Sequence, residues 1–248
     1  MKENHKSINC IMIVLLFVSM LVIAKEAAEY VSSNKAKVPC FDLVVIDAGH
    51  GADDAGKVGI NEALEKDINL SIALRVKELL KAQGVRVVMT RENDRGMYPK
   101  TGDNRKLRDM QKRVEFINKK QAALTVSIHQ NSYTDENIAG AQTFYFTGSE
   151  EGKRAAEIIQ DQLVKTLDPE NHRLAKENGS YYLLKNVKGP IVIAECGFLS
   201  NRKEAELLCD GEYQEKVAWA IHLGILRYIN TVEQKGMEST YEMDPNSN

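Results

Sequence analysis

Three short apolar segments of this chain each end in polar residues that carry chemistry. The first segment runs into His50, the second into His129 and the third into Glu195. The segments are rich in β-branched residues and apolar throughout, which is typical of strands covered on both faces. In open α/β sheets, ligands bind at the carboxyl ends of the strands. If these strands are parallel, the two histidines and the glutamate meet in one crevice.

Between these segments, apolar residues recur at three- and four-residue steps, which predicts helices between the strands. The predicted strands are 42–47, 85–90, 123–129, 141–147, 181–185 and 190–195. The predicted helices are 65–83, 104–119, 150–167, 201–209 and 212–230. This alternation predicts a single α/β domain with a mostly parallel twisted sheet of about six strands, covered by helices on both faces. The polar site is expected at the carboxyl ends of the strands.

The ends of the chain differ from the predicted domain at 41–232. Residues 1–25 contain an apolar run after two lysines, shorter than the roughly 20 residues of a transmembrane helix. A cleaved signal peptide and a short uncleaved anchor are both consistent with that length, so we expect an exported protein, membrane-tethered or secreted. Residues 26–40 are polar and predict a tether. Residues 233–248 contain almost no apolar side chains, which predicts a disordered tail.

Charge and cysteine content exclude several function classes. The net charge is −2, with 33 basic and 35 acidic residues, so nothing indicates a nucleic-acid partner. Three cysteines follow the N-terminal apolar run, at positions 40, 196 and 209. Their number is odd and no two form a C-x-x-C pair, so neither a disulfide framework nor a thiolate zinc site is expected.

Two imidazoles and one carboxylate are a common ligand set for a catalytic zinc ion, which keeps its fourth position open. His50 and His129 supply the imidazoles. Glu195 could be either the third ligand or a catalytic base. Glu65 opens the helix that follows His50 and offers a second carboxylate, with Glu62 as a weaker rival for the same role. The residues alone leave these assignments open.

Five spaced motifs resemble, in order, those of zinc-dependent N-acetylmuramoyl-L-alanine amidases of the amidase-3 type. They are Asp47–Gly51, Glu65-Lys66 with Asn69-Leu70, Thr90-Arg91, Ser127–His129 with Asn131, and Glu195–Asn201. The resemblance spans about residues 42–230, and the order of the motifs makes it specific. Residues 105–118, 140–145 and 224–228 are similar to the germination-specific, CwlD-like amidases of spore-forming bacteria.

The resemblance implies that His50, Glu65 and His129 hold Zn²⁺ and that Glu195 is the catalytic carboxylate. It implies hydrolysis of the amide between N-acetylmuramic acid and L-alanine in peptidoglycan of the forespore cortex, leading toward muramic δ-lactam and germination. An accessory or activating protein is a further expected partner. Asp47 is a candidate for orienting a ligand histidine. The family usually has proline and glycine where this chain has Ala48 and Ala52, which affects the loop around His50.

Two other functions are consistent with the residues. One is a non-catalytic peptidoglycan-binding module that keeps the fold, although such a module need not retain two histidines and two glutamates at strand and helix ends. The other is a different cell-wall zinc hydrolase, an endopeptidase or a deacetylase. Product mass separates these alternatives, because only an amidase releases an intact stem peptide with an L-alanine amino terminus.

Overall fold

A computed structural model describes residues 12, 16–17, 19–20, 23–26, 43–97 and 104–242, with side chains described as far as residue 232. The chain divides into two compact units, residues 1–40 and 41–248. The described residues of the first unit are helical. Across the described ranges, no helix combines the length and the apolar character needed to cross a bilayer. The predicted tether falls outside these ranges except for residue 26.

The second unit alternates strands and helices. Its strands are β1 (Val44–Ala48), β2 (Val87–Met89), β3 (Leu124–Asn131), β4 (Gln142–Tyr145), β5 (Lys176–Glu177) and β6 (Ile191–Phe198). Its helices are α1 (Glu65–Ala82), α2 (Arg105–Lys120), α3 (Glu150–Leu167), α4 (Tyr182–Asn186), α5 (Arg202–Cys209) and α6 (Gly211–Glu242). The strands form one sheet in the order β2-β1-β3-β6-β4-β5. The predicted α/β class with a six-stranded sheet is confirmed.

The centre of the sheet is parallel, and this places the polar strand ends together. Strands β2, β1, β3 and β6 run in the same direction, and β4 pairs antiparallel with β6. Every residue of β1 and of β6 is buried. Both faces of these strands are therefore covered, which explains why their sequences are apolar without alternation.

Alternate residues of the central strands enter two separate cores. Val44 and Ile46 belong to the larger core, which α1, α3 and α6 cover, while Val45 belongs to the smaller core under α2 and α4. Ile193 likewise enters the smaller core and Val192 the larger one. Successive side chains of a strand point to opposite faces, so the sheet lies between two helical layers, as predicted.

The largest differences from the predicted elements lie in three segments. The strand predicted at 181–185 is wrong: these residues form the short helix α4. Leu183 and Leu184 are both buried, and a short apolar run of this kind fits a helical turn as well as a strand. The two-residue strand β5 contains no apolar residue and carried no strand signal. Helix α6 continues to Glu242, into the segment expected to be disordered.

Candidate metal centre and catalytic carboxylate

The three polar strand ends meet at one edge of the sheet. Strand β1 pairs with β3 so that Asp47 lies opposite Ser127, and β3 pairs with β6 so that His129 lies opposite Glu195. The ladder of β3 with β6 is irregular just after His129. Parallel pairing thus places His129 and Glu195, in the C-terminal halves of β3 and β6, side by side, with the His50 loop beyond β1 next to them.

His50, Glu65 and His129 form a cluster whose potential ligand atoms lie within 4.8 Å of one another. Glu65 connects the two imidazoles. Its Oε2 lies 3.2 Å from His50 Nε2, and its Oε1 lies 3.0 Å from His129 Nδ1. The two rings meet edge to face, with centroids 5.0 Å apart. Among the residues that the structure describes, these three histidine and glutamate side chains lie close enough together to hold a metal ion.

Glu65 is held in place by the polypeptide as well as by the histidines. It is the first residue of α1 and is buried. Its carboxylate accepts hydrogen bonds from the backbone N–H of Lys57 at 2.8 Å, from that of Gln130 at 3.1 Å and from Asn69 Nδ2 at 3.2 Å. Burial opposes ionisation, but the paired histidines outweigh it and hold the pKa of Glu65 well below its usual range. Glu65 is therefore ionised and held in a fixed position before any metal binds.

His50 is oriented from its other side by Asp54. The Nδ1 of His50 lies 2.8 Å from Asp54 Oδ2, which leaves Nε2 facing Glu65. Burial disfavours the charged imidazole, yet the hydrogen bonds to Asp54 and Glu65 raise the pKa of His50 to about 9. A carboxylate behind a ligand histidine fixes its tautomer and increases its basicity. Sequence reasoning overlooked Asp54; its position four residues after His50 was the available signal.

The His50 loop has an unusual backbone. His50 has φ of 61°, and Ala52 has φ of 52°, both in the left-handed region that residues other than glycine rarely adopt. Ala52 is a position where the family usually has glycine, which adopts this conformation without strain. The surrounding structure must therefore stabilise the loop.

Two buried arginines stabilise this loop through its carbonyl groups. Arg91 donates to the carbonyl oxygens of Ala48 and Gly49, each at 2.9 Å. Arg113 donates to the carbonyl of Ala48 at 2.7 Å and to that of His50. The backbone from 48 to 50 is thus fixed by charged donors in the interior, where hydrogen bonds to charged groups are strong.

Asp47 has a different role from the one proposed from sequence. It contacts no histidine ring through a hydrogen bond; its carboxylate accepts from Arg113, Ser127 and Thr90, each at 2.6 Å. Burial alone would raise its pKa, but these partners, Arg113 above all, lower the pKa of Asp47 to about 2. Asp47 therefore acts on His50 only indirectly, by holding Arg113.

Glu195 lies next to the cluster and is not part of it. It is 8% exposed, and its Oε2 is buried without a hydrogen-bond partner. Burial raises the pKa of Glu195 to about 7, with the nearby histidines lowering it and Glu65 raising it. A buried carboxylate oxygen with no hydrogen-bond partner among the described residues is costly, which marks Glu195 as a candidate functional group. A pKa near neutrality suits a group that accepts and returns a proton.

These groups line a cleft of about 600 Å³. His50, Glu65, His129 and Glu195 form its floor, and its walls include Lys57, Lys106, Asn131 and Tyr181. This volume lies in the range of ligand-binding clefts.

The other candidate groups lie away from the cluster. Glu62, the rival of Glu65, is exposed in the turn before α1. Cys196 is buried and Cys209 is exposed, and both are free thiols. His222 is buried in α6 beside Trp219.

The donor set fits a zinc ion. Two imidazole nitrogens and one carboxylate, preorganised by Asp54 and by backbone N–H groups, match the protein ligands of catalytic zinc sites. Ions that prefer all-oxygen ligands, such as Ca²⁺ and Mg²⁺, fit this set less well.

Comparison with known proteins gives one family. Residues 44–227 match the Amidase_3 family, N-acetylmuramoyl-L-alanine amidase. A germination-specific N-acetylmuramoyl-L-alanine amidase of Bacillus subtilis (strain 168) is 43% identical over 189 residues, which are 75% of this chain and 79% of the relative. The CwlD amidase of Clostridioides difficile, solved in complex with the GerS lipoprotein, has a TM-score of 0.74 at 39% identity, covering 77% of this chain and 99% of that one. AmiC2, an N-acetylmuramoyl-L-alanine amidase of Nostoc punctiforme, has a TM-score of 0.66 at 32% identity, with 76% and 97% covered.

Proposed function

The chain belongs to the N-acetylmuramoyl-L-alanine amidase family, and from this membership we propose that it is a zinc-dependent amidase acting on peptidoglycan. It hydrolyses the amide between N-acetylmuramic acid and the L-alanine of the stem peptide. The observation that carries the proposal is the convergence of His50, Glu65 and His129, with ligand atoms within 4.8 Å, beside the buried and unpaired carboxylate of Glu195.

The zinc ion would be held by His50, Glu65 and His129, whose ring nitrogens and carboxylate oxygens face one another. A zinc ion bound there supplies Lewis-acid chemistry, which polarises a carbonyl group and makes water more acidic. Asp54 and the backbone N–H groups of Lys57 and Gln130 keep the ligands in place. Because these contacts hold the three residues in position, zinc binding would need little rearrangement of the site.

Glu195 performs the proton transfers in this mechanism. Its carboxylate takes a proton from the attacking water as the water oxygen bonds to the lactyl carbonyl carbon. The same proton then passes to the alanine nitrogen as the carbon–nitrogen bond breaks, which releases a neutral amine. The Glu195 side chain is buried and its Oε2 has no hydrogen-bond partner among the described residues, so this oxygen is available to accept the proton.

The substrate in the cell is proposed to be spore-cortex peptidoglycan. The germination-specific relative of Bacillus subtilis supports this assignment. Removal of stem peptides from muramic acid would prepare the glycan strand for conversion to muramic δ-lactam by a separate deacetylase. The protein would act outside the cytoplasm, secreted or tethered through its N-terminal segment, whose exposed side chains include Leu16, Phe17 and Ile23.

An accessory protein is proposed as a partner. The structure of the Clostridioides difficile relative is a complex with the GerS lipoprotein. A protein of that kind could promote metal loading or complete the cleft of this chain.

The test is mass spectrometry of cortex-type peptidoglycan after incubation with residues 26–248. Four reactions are compared: the parent protein with Zn²⁺, the parent protein after chelation, the Glu195→Gln variant with Zn²⁺, and buffer. We expect intact stem peptides with an L-alanine amino terminus from the first reaction alone. The Glu195→Gln variant should bind zinc like the parent and lose turnover by about 100- to 10,000-fold.

The other outcomes separate the alternatives. Cleavage within the stem peptide would identify an endopeptidase, and loss of acetyl groups a deacetylase. Full activity of Glu195→Gln would assign the base to another residue. Zinc binding without cleavage would direct the search to an activating partner, whereas neither binding nor cleavage would favour a peptidoglycan-binding module.

A further inference from the structure

Two lysines line the cleft beside the metal centre, and the proposed mechanism uses neither of them. Lys57 lies in the loop before α1, and Lys106 lies in the first turn of α2. Both are exposed. The acidic residues that line this cleft are Glu65 and Glu195, and both are buried in its floor. The rim of the cleft is therefore positively charged on the side of these two lysines.

Lys57 is anchored through its backbone, and its side chain is available to a ligand. Its N–H donates to Glu65 Oε2 at 2.8 Å, so its position is tied to that of the metal ligand. Among the residues that the structure describes, its ammonium group has no hydrogen bond and no ion pair. Its charge nevertheless reaches the site, since it contributes to lowering the pKa of Glu195 against the effect of burial.

Lys106 has only a weak partner. Its Nζ lies 3.5 Å from Asp54 Oδ1, while the other oxygen of Asp54 is bound to His50 at 2.8 Å. The side chain of Lys106 is 71% exposed. The first turn of α2 contains no acidic residue, so the positive end of the helix dipole adds to the charge of Lys106. This part of the rim attracts anions.

The substrate of the proposed function places an anion close to the scissile bond. In a stem peptide, L-alanine is followed by D-glutamate joined through its γ-carboxyl group, which leaves the α-carboxyl group as a free carboxylate or as an amide. The α-carbon that carries this group is one residue beyond L-alanine, which corresponds to roughly 3–4 Å of extended chain. A stem peptide that extends from the metal centre along this rim would bring the α-carboxylate within reach of a lysine side chain.

We propose that Lys57 and Lys106 bind the free α-carboxylate of the second stem-peptide residue and thereby select substrates in which this group is not amidated. The inference rests on the proposed function. The carboxylate and its amide have nearly the same shape, so the selection is electrostatic rather than steric. An exposed ion pair favours binding by about 1.4- to 5-fold, so two lysines together favour the carboxylate by about 2- to 30-fold.

The experiment compares two purified substrates that differ only at this group: N-acetylmuramoyl-L-alanyl-D-glutamate and N-acetylmuramoyl-L-alanyl-D-isoglutamine. The ratio of their kcat/KM values is measured for the zinc-loaded parent and for the Lys57→Gln/Lys106→Gln variant. Lys153→Gln is the matched control, because Lys153 is an exposed lysine on α3 and does not line the cleft. Zinc content is measured for all three proteins.

We expect the parent to prefer the carboxylate substrate about 2- to 30-fold, mainly through a lower KM, and to lose the preference as ionic strength rises. The double variant should give a ratio near one, and Lys153→Gln the ratio of the parent. Equal rates on both substrates by the parent, or an unchanged ratio in the double variant, would overturn the inference and leave the amidase intact. Failure to cleave either substrate would instead count against the proposed function.

Discussion

The guanidinium of Arg113 and the carboxylate of Asp47 form an ion pair in the interior, 2.6 Å apart, with side chains 2% and 0% exposed. The same guanidinium pairs with Asp109 and donates to the carbonyl of His50. One charged group thus joins strand β1, helix α2 and the loop that carries a proposed metal ligand. The ion pair links the stability of the domain to the geometry of its site.

Asp47→Asn should destabilise the protein by about 3–5 kcal/mol near neutral pH. The substitution keeps the size of the side chain, but it leaves the charge of Arg113 with Asp109 as its remaining acidic partner in the interior. Chemical denaturation of the zinc-free parent and variant measures the difference. A loss below about 1 kcal/mol would mean that Asp109 alone balances Arg113.

The same pair predicts how this difference depends on pH. The pKa of Asp47 is about 2 in the folded protein and 3.8 as the ordinary value. A depressed pKa contributes stability above the unfolded-state value, here about 2 kcal/mol, and this contribution is lost as pH falls toward 2. The gap between parent and Asp47→Asn should therefore be constant above about pH 5 and become smaller below pH 4. A gap that does not change over this range would contradict the assignment.

Asp54→Asn should weaken zinc binding by about 10- to 100-fold, because Asp54 orients His50 through Nδ1. The neighbouring residue provides a matched control: Asp53 is exposed and pairs with Arg105 rather than with a histidine. Asp53→Asn should therefore bind zinc like the parent. Competition with a fluorescent zinc chelator gives all three dissociation constants. Equal losses in both variants would indicate a general charge effect instead of orientation of His50.

Gly49→Ala should displace His129 and reduce zinc occupancy. A Cβ at this position would overlap the imidazole of His129, with Nδ1 only 2.7 Å away. Gly189→Ala is the control, since the nearest atom to its Cβ is a carbonyl oxygen at 3.6 Å. We expect a purified Gly49→Ala protein to be folded by circular dichroism but to contain much less zinc than Gly189→Ala. Full zinc content in both would show that the ring can move without cost.

Most of the fold could be predicted because the spacing of apolar residues in the sequence matches the side chains that are buried in the structure. Strand β6 is buried along its whole length, and its apolar sequence shows this directly. The segment at 181–185 could not be predicted in the same way, because two adjacent buried leucines fit either a strand or a helical turn. The short edge strand β5 consists of Lys176 and Glu177, and only its pairing with β4 makes it a strand.

The candidate site was partly predictable for a related reason. His50 follows β1, and His129 and Glu195 lie in the C-terminal halves of β3 and β6, so the sheet order and register bring them together. Asp54 and Arg113 were not assigned roles, because their contacts depend on the turn after β1 and on how α2 packs across the sheet. Asp47 was a candidate for orienting a ligand histidine, whereas its carboxylate accepts hydrogen bonds from Ser127 and Thr90.

Removing the metal should lower the melting temperature without unfolding the domain. Glu65 accepts hydrogen bonds from Lys57, Asn69 and Gln130, and these bonds do not depend on a metal, so we expect the ligands to stay in place on chelation. At free zinc of about 100 times Kd, binding contributes about 2.7 kcal/mol, or roughly 5–10 °C for a domain of this size. Calorimetry with and without a chelator measures the shift, and Glu65→Gln, which lacks the ligand charge, should show almost none. Unfolding of the parent on chelation would instead make the ion a structural requirement of the fold.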